Sequence, residues 1–266
     1  MKIEQKKWTA ENKWENVSKN PITGVPQLVL VFGGSTLVKE EKIFNEVKGM
    51  YPDSHIVMVS TAGEICDTSV SDGTLSLTAI HFEKTTLQFA EVDVDGNGVE
   101  LGKKLASLLP KEKLVHVMVF SDGLKVNGTD LVVGITSELP STVALTGGLV
   151  GDGADFKHTY VGLDKIPTEG KIVAIGFYGD VLEVSYGSMG GWDAFGPERM
   201  ITKAKDNILY ELDGKPALAI YKEYLGDKAK ELPGSGLLFP LNLHLKTKNG
   251  EDQVVRTILG VNEADQ

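Results

Sequence analysis

Four short runs of small residues could bring a ligand close to the backbone. They are Gly33-Gly34-Ser35, Thr61-Ala62-Gly63-Glu64, Ser121-Asp122-Gly123 and Thr146-Gly147-Gly148. Each run follows an apolar, strand-like segment, so each is expected at the carboxyl end of a strand. Open α/β sheets bind ligands beyond these ends, and small side chains leave backbone N–H groups accessible. The four loops are therefore the predicted lining of a ligand pocket.

Any one of these loops, taken alone, is better explained as a tight turn that needs a positive φ angle. Four loops at equivalent positions favour a binding site over four unrelated turns. Within them, Glu64 and Asp122 are carboxylates expected at loop tips. A carboxylate there could bind an amino group while neighbouring N–H groups bind a carboxylate. Trp192 could pack over the mouth of the pocket, although an aromatic residue at a domain junction is commonly core.

Several kinds of catalytic and nucleotide-binding site are excluded or disfavoured. Neither GxGxxG nor GxxxxGK[ST] occurs, which argues against Rossmann and P-loop nucleotide sites. Ser35, Ser121 and Cys66 are conceivable nucleophiles, but none lies in a GxSxG motif. Hydroxyl groups that cap turns are the simpler interpretation. A hydrolase that uses Ser35 or Cys66 is kept as an alternative, and no catalytic residue is predicted.

The histidines do not predict a zinc site. They are His55, His81, His116, His158 and His244, and no HxH, HExxH or HxxxH spacing occurs among them. A single axial ligand to haem needs no such spacing, so a haem-based sensor stays open as an alternative. The expectation is that the protein has no metal and no cofactor, with haem as the exception to test.

Composition narrows the class of protein further. The 266 residues carry a formal net charge of −10, and no basic stripe occurs, so a nucleic-acid partner is not expected. One cysteine excludes an internal disulfide framework and fits a reducing compartment. The chain starts without an apolar leader segment, and no apolar run approaches the roughly 18 residues of a membrane span. We expect a cytoplasmic protein without membrane insertion.

The strands and helices that would position the four loops are predicted to form one structural unit that occurs twice in the chain. Residues 27–94 and residues 115–189 each predict the order β-α-β-β-β, which indicates an internal duplication. In each unit the last two strands are predicted to form a hairpin, residues 75–82 with 87–94 and residues 172–178 with 182–186. Asn97, with Glu100 three positions on, is expected to start one helix, and the corresponding helix of the second unit is expected to start at Asn127 or Thr129.

The predicted fold class is α/β (α+β), with mixed sheets from the two duplicated units, helices on the outside and the two sheets stacked together. Residues 1–26 are predicted to be a polar lead-in that docks through Trp8 and Trp14. Residues 27–189 form the predicted main domain. Residues 190–266 form a smaller α+β domain with a turn at Asp213-Gly214 and a helix from about Pro216.

The sequence resembles the FIST sensory domain, named for F-box and intracellular signal transduction proteins. The phrases that carry the resemblance are "STAGEI", "ALTGGLVGDG" and "ELDGKPAL", and the similarity spans about residues 27–260. The small-residue motif of the family falls on residues 60–64, and its C-terminal motif on residues 212–217. The resemblance implies a non-catalytic input module for small molecules such as amino acids, and some similar proteins bind haem and respond to nitric oxide.

The resemblance also bears on the partners of this chain. The C-terminal half of the family usually continues well beyond the strand at Val255 and Arg256, so the C-terminal domain here is expected to be short or truncated. We expect no kinase, cyclase or receiver segment to follow this domain. The expected partners are therefore a small-molecule ligand and a separate signalling output protein, such as a histidine kinase or a cyclase.

Overall fold

The computed structural model describes residues 1–19, 22–187, 191–247 and 250–264. The chain forms two compact units, residues 1–186 and residues 187–266. The predicted boundary between residues 189 and 190 falls among residues 188–190, which lie outside the described part of the chain.

The first unit is built mainly from strands. They are β1 (Lys2–Thr9), β2 (Lys13–Asn16), β3 (Leu28–Gly34), β4 (His55–Thr61), β5 (Glu64–Cys66), β6 (Ser69–Ser71), β7 (Leu75–His81), β8 (Thr86–Asp93), β9 (Leu114–Asp122), β10 (Ala144–Val150), β11 (Val161–Leu163) and β12 (Lys171–Tyr178). Its helices are α1 (Ser35–Val38), α2 (Glu41–Met50), α3 (Gly98–Ser107) and α4 (Gly128–Glu138).

Two mixed sheets contain all of these strands except β5 and β6, which pair with each other. The order of the first sheet is β11-β4-β3-β7-β1-β2, and that of the second is β10-β9-β12-β8. In the first sheet β3 runs parallel to β4 and antiparallel to β7. In the second sheet β9 runs parallel to β10 and antiparallel to β12. The mixed α/β fold class predicted from the sequence is confirmed, and the two sheets share a three-strand arrangement.

Both predicted hairpins are wrong, and the reason is the same in each case. β7 lies between β3 and β1, so no edge of β7 is free for β8. β8 instead crosses to the second sheet and pairs with β12 over the register from Asp93–Lys171 to Thr86–Tyr178. β12 is then enclosed by β9 and β8, and residues 182–186 form neither helix nor strand.

The first residues of the chain are part of the fold rather than a polar lead-in. β1 completes the antiparallel pairing of β7, and β2 pairs with β1. Trp8 is buried among the apolar residues of α2 and the first sheet. Trp14 Nε1 donates a hydrogen bond to Glu46 Oε2 of α2 at 3.0 Å. Docking through the two tryptophans was expected, whereas the strands that carry them were not.

Three apolar clusters stack the layers of the first unit. One joins α2 to one face of the first sheet through residues such as Ile43 and Val47. A second joins α3 and α4 to one face of the second sheet. The third lies between the sheets, where the Phe32 and Phe120 rings meet edge to face with centroids 5.6 Å apart. Burial of apolar area on both faces of each sheet therefore produces a helix, sheet, sheet, helix sandwich.

The predicted helix starts agree with the structure. The Asn97 side chain accepts a hydrogen bond from Glu100 N, and the Asn127 side chain accepts from Thr129 N. These bonds satisfy backbone donors that the first turn of a helix leaves unpaired. α3 and α4 then cross closely at Gly102 and Gly134, where an added Cβ would lie within 2.5 Å of the facing backbone.

The second unit is a smaller α+β arrangement. Its strands are β13 (Ile201–Lys205), β14 (Ile208–Leu212), β15 (Lys215–Pro216), β16 (Leu241–Thr247) and β17 (Gly250–Arg256), with helix α5 (Ala217–Leu225) and 3-10 turns at Gly226–Glu231 and Gly234–Leu238. The predicted turn at Asp213-Gly214 is present, with positive φ at both residues. Hydrogen bonds from Met200 N and then Arg199 keep the pKa of Asp213 below its ordinary value.

Candidate functional site

The carboxyl ends of β3 and β4 lie side by side, as the sequence predicts. Gly33 pairs with Ser60 and Gly34 with Thr61, so both glycines are the last residues of β3 rather than a loop. A Cβ on Gly33 would lie 2.1 Å from Leu75, which explains the need for glycine there by packing alone. Ser35 then begins the short helix α1.

Glu64 faces the interior and not the exposed loop tip expected from the sequence. Only 1% of the residue is exposed. Its carboxylate accepts hydrogen bonds from Thr61 Oγ1 at 2.7 Å, from Thr74 N at 3.0 Å and from Thr74 Oγ1 at 2.9 Å. Between Thr61 and Glu64, the residues Ala62 and Gly63 form a bend in which Gly63 has a φ of +127°. The buried carboxylate of Glu64 therefore fixes this bend through hydrogen bonds made in the interior of the protein.

Asp122 is likewise buried, with 1% exposure. Oδ1 accepts from Leu124 N at 2.9 Å, Lys125 N at 3.0 Å and Thr159 Oγ1 at 2.8 Å, and Oδ2 accepts from Gly170 N at 2.7 Å. Four donors on one carboxylate are close to its full capacity. The prediction of an exposed carboxylate at a loop tip is therefore wrong for Asp122 too, because the residue fastens three chain segments together.

The Thr146-Gly147-Gly148 segment is not a loop. These residues lie inside β10, opposite Met118, Val119 and Phe120 of β9, because the strand continues to Val150. A Cβ on Gly147 would lie 1.8 Å from the Val119 carbonyl oxygen, so glycine here permits close pairing of the strands. The residues at the carboxyl end of β10 are Val150 and Gly151. The prediction therefore placed the end of this strand too early in the chain.

The two sheets join at this edge through hydrogen bonds. Gly151 N, which follows β10 of the second sheet, donates to Ser60 O of β4 at 3.3 Å, while Tyr160 N, which precedes β11 of the first sheet, donates to Ser60 Oγ at 2.9 Å. A Cβ built on Gly151 would lie 3.3 Å from the Ala62 Cβ. Thr159, the residue before Tyr160, donates a hydrogen bond from Oγ1 to Asp122 Oδ1 of the second sheet. Gly34, Thr61, Ala62, Gly63 and Gly151 together form what we call the strand-end edge.

Charged side chains flank the loop that Asp122 holds. Glu169 accepts hydrogen bonds from Lys125 Nζ at 2.9 Å and from His158 Nδ1 at 2.8 Å. The bond from Lys125, followed by that from His158, lowers the pKa of Glu169 below its ordinary value. Asp152, which follows Gly151, accepts from three backbone N–H groups of residues 156–158. The loops around the edge are thus fixed by internal carboxylates.

The family model of the FIST N domain matches residues 27–215. The chain belongs to the FIST family. FIST domains are sensory domains of signal-transduction proteins, so the resemblance noted in the sequence is confirmed. The match includes every predicted site residue and runs past residue 186 into the second unit. A comparison with curated proteins found no match.

Trp192, the predicted cover of the pocket, belongs to the second unit of this FIST protein. Its side chain is 55% exposed. Residues 188–190, which end two positions before it, lie outside the described part of the chain. A role for Trp192 in ligand binding stays a prediction.

The placement of the histidines and of Cys66 bears on the alternative chemistries. Among these residues, no group of three or more His, Cys, Asp or Glu side chains could hold a metal ion. His116 is buried, its Nε2 lies 2.8 Å from Thr146 Oγ1, and its Nδ1 has no described partner. Neither of the two described cavities has a histidine in its lining, and haem binding stays a prediction to test. Cys66, the proposed alternative nucleophile, is buried in β5.

Two cavities are described, and neither contains a predicted site residue. One, of about 570 Å³, lies along α2 at Glu41 and Glu46. The other, of about 410 Å³, lies between β1 and the end of α2. In the described part of the chain, no helix has the length and apolar character to span a membrane.

Proposed function

We propose that this FIST protein is a non-catalytic sensor that binds a small polar ligand, an amino acid or a related metabolite, at the strand-end edge. The sensory role follows from the family. The observation that supports this location is the junction of the two sheets at Ser60, whose carbonyl oxygen accepts a hydrogen bond from Gly151 N at the end of β10. A ligand bound beside this junction would act on both sheets at once.

The chemistry of the edge suits a ligand recognised by backbone groups. Gly34, Ala62, Gly63 and Gly151 have little or no side chain, so a small molecule can approach the main chain closely. Glu64 and Asp122 contribute indirectly, because they fix the loops from inside. A ligand therefore meets a preorganised surface, which lowers the entropic cost of binding.

The internal duplication predicted from the sequence belongs to the same proposal. β8 stands beside β12 as β1 stands beside β7, so each sheet has a matching fourth strand. Two related sheets that are joined at equivalent strand ends can act as a hinge. A ligand that binds more tightly to one relative position of the sheets would increase the population of molecules in that position. The signal would then pass to a separate output protein, such as a histidine kinase or a cyclase, in the cytoplasm.

A thermal-shift screen of the full chain against amino acids and common metabolites tests this proposal. A ligand at a hundredfold excess over its Kd stabilises the folded state by about 2.7 kcal/mol. We expect at least one amino acid or polar metabolite to raise the melting temperature. If none does at millimolar concentration, the proposed ligand class is wrong.

Ala62→Leu tests the location of the site. The larger side chain fills the space in front of Gly151, so an identified ligand should bind at least tenfold more weakly. Ala10→Leu is the matched control, because Ala10 lies in the exposed turn between β1 and β2. Equal binding by both variants would place the site elsewhere. Gly63→Val is a poorer probe, because its φ of +127° makes any β-branched residue strained whatever the ligand does.

A further inference from the structure

β10 forms an open edge of the second sheet. The strand pairs with β9 on one side, and within the described ranges no strand pairs with its other side. Gly147, Gly148 and Leu149 are exposed there. An open edge leaves backbone N–H and C=O groups without strand partners, so it can pair with a strand of another chain.

The outer strands at the other ends of the two described large sheets are protected against such pairing. β11 has three residues, β2 has four residues that include Lys13 and Glu15, and β8 carries Glu91 and Asp93. Short length and charge are common ways in which proteins protect an edge strand. β10 has seven residues, and none of them is charged or proline. The edge of β10 therefore lacks the protection that the other three edges have.

α4 lies beside this edge and adds apolar surface to it. A Cβ on Gly128 would lie 3.3 Å from the Leu149 side chain, so the first turn of α4 lies against β10. Val132 follows four residues later and is therefore on the same side of the helix as Gly128. Val132 is 45% exposed, and Leu149 is 42% exposed. Exposed apolar side chains of the helix and the strand thus occur on the same side of the sheet.

The exposed side of α4 is also uncharged over most of its length. Before Glu138, the exposed residues of the helix are Thr129, Val132, Val133, Thr136 and Ser137. Asp130 is half-buried, with its Cβ beside Gly98 of α3. By contrast, α2 and α3 expose charged residues such as Lys42 and Lys104. Surface helices usually carry charged residues on the solvent side, whereas the centre of a protein interface is depleted of them.

The lack of charge indicates which partner fits this surface. The chain carries a net charge of −10, so a partner attracted by charge would be basic. The exposed described residues of β10 and of α4 before Glu138 offer such a partner no carboxylate. A second copy of the chain brings the same uncharged residues, so no like charges oppose each other. Two identical edges also match, because antiparallel pairing about a two-fold axis satisfies the free backbone groups of both strands.

We propose that two copies of the chain form a dimer through β10 and the exposed residues of α4, which together we call the β10–α4 surface. β10 pairs antiparallel with β10 of the second copy, so the two four-stranded sheets become one sheet of eight strands. The two α4 helices then lie on the same face of the joined sheet, and Val132 and Leu149 are covered. The β10–α4 surface shares no residue with the strand-end edge, so the dimer leaves both proposed ligand sites accessible.

Sedimentation equilibrium of the full chain at micromolar to submillimolar concentrations tests the association. We expect a species with twice the 28.7 kDa mass of the chain. Added salt screens the general repulsion between two negative chains and weakens no ion pair at an uncharged interface, so the dimer Kd should fall or stay constant. A chain that stays monomeric would overturn the proposal and favour a different protein as the partner of this edge. A dimer Kd that rises steeply with salt would also overturn it, because such an interface depends on charged contacts.

Single charges test the position of the interface. Leu149→Lys and Val132→Glu each place a charge on the β10–α4 surface, and the two-fold axis brings it near the same charge of the second copy. We expect each variant to raise the dimer Kd at least tenfold. Val70→Lys is the matched control, because Val70 is 72% exposed on β6 and lies outside this surface, so its Kd should equal that of the parent. Far-UV circular dichroism checks that each variant is folded. A parent Kd in both surface variants would contradict the assigned interface.

Amide hydrogen exchange locates the contact independently of substitution. The amides of β10 should exchange more slowly at high protein concentration than at low concentration, because pairing in the dimer protects them. The amides of β12, which lies between β9 and β8, should show no such dependence. Leu149→Lys should remove the dependence from β10. A chain that dimerises without any change of exchange in β10 would show that its interface lies elsewhere.

Discussion

Replacement of Glu64 tests whether a buried carboxylate holds the bend of the strand-end edge. In Glu64→Ala, the Thr74 N–H and hydroxyl groups lose their acceptor, and Thr74 is only 8% exposed. An unpaired buried donor costs about 1–3 kcal/mol, and the hydroxyl can rotate toward another acceptor. Thr61 is half-buried, so its hydroxyl can turn to water. We therefore expect the free energy of unfolding to fall by about 2–4 kcal/mol.

Glu64→Gln separates hydrogen bonding from charge. The Gln carbonyl oxygen can accept from both Thr74 donors, and its amide can donate to Thr61 Oγ1, which also has acceptor capacity. The expected loss is about 1 kcal/mol or less. Thr61→Val should cost a similar amount, because it removes one partly exposed bond.

Urea unfolding of the parent and the three variants, followed by far-UV circular dichroism, measures these differences as shifts of the midpoint at constant m-value. Two results would refute the reasoning. One is Glu64→Ala within about 0.5 kcal/mol of the parent, which is the range of an ordinary surface substitution. The other is Glu64→Gln as unstable as Glu64→Ala, which would mean that charge and not hydrogen-bond geometry holds the bend.

Three further predictions concern stability. Gly134→Ala should destabilise the protein by about 1–3 kcal/mol in urea unfolding, because its Cβ would lie 2.1 Å from Val99 O. Gly49 is a helical glycine with open space around it, so Gly49→Ala is the control and should stabilise the protein by roughly 0.5–1 kcal/mol. Equal effects of the two substitutions would contradict the close helix crossing. Asn127→Ala removes the N-cap of α4 and should cost about 1 kcal/mol, with Asn127→Gly costing only a few tenths. Burial lowers the pKa of His116 below 6.5, so below that pH the unfolded chain binds a proton that the folded protein does not, and stability should fall as the pH drops from 7 toward 5. His116→Gln should show a smaller fall when unfolding is measured at each pH, and an unchanged pH dependence would contradict the buried neutral imidazole.

The local features of this protein could be predicted from the sequence because they depend on neighbouring residues. Asn97 and Asn127 start helices since each side chain reaches an N–H group two or three residues along the chain. The turn at Asp213-Gly214 adopts positive φ angles that these residue types tolerate. The apolar runs that became β3, β4, β9 and β12 were likewise recognisable, and so was the FIST family.

The choice of strand partners could not be predicted, because a strand gives no local sign of which edge it joins. The segment of β1 is polar enough to resemble a lead-in, yet its pairing with β7 excludes the expected hairpin and sends β8 to the other sheet. The glycines of β10 resemble a strand end, although the strand passes through them to Val150. Each of these outcomes depends on residues tens of positions away.

The candidate site also has some features that the sequence predicts and others that depend on the tertiary structure. The sequence by itself determined that Glu64 and Asp122 lie near strand ends among small residues, because that is a matter of spacing. Only the tertiary structure decided that both carboxylates point inward, since their donors Thr74, Thr159 and Gly170 come from other segments. The burial of a carboxylate depends on such distant donors, which compensate for its loss of water. The cavity between β1 and the end of α2 arises in the same way, from a first strand and a helix end that meet only in the folded protein.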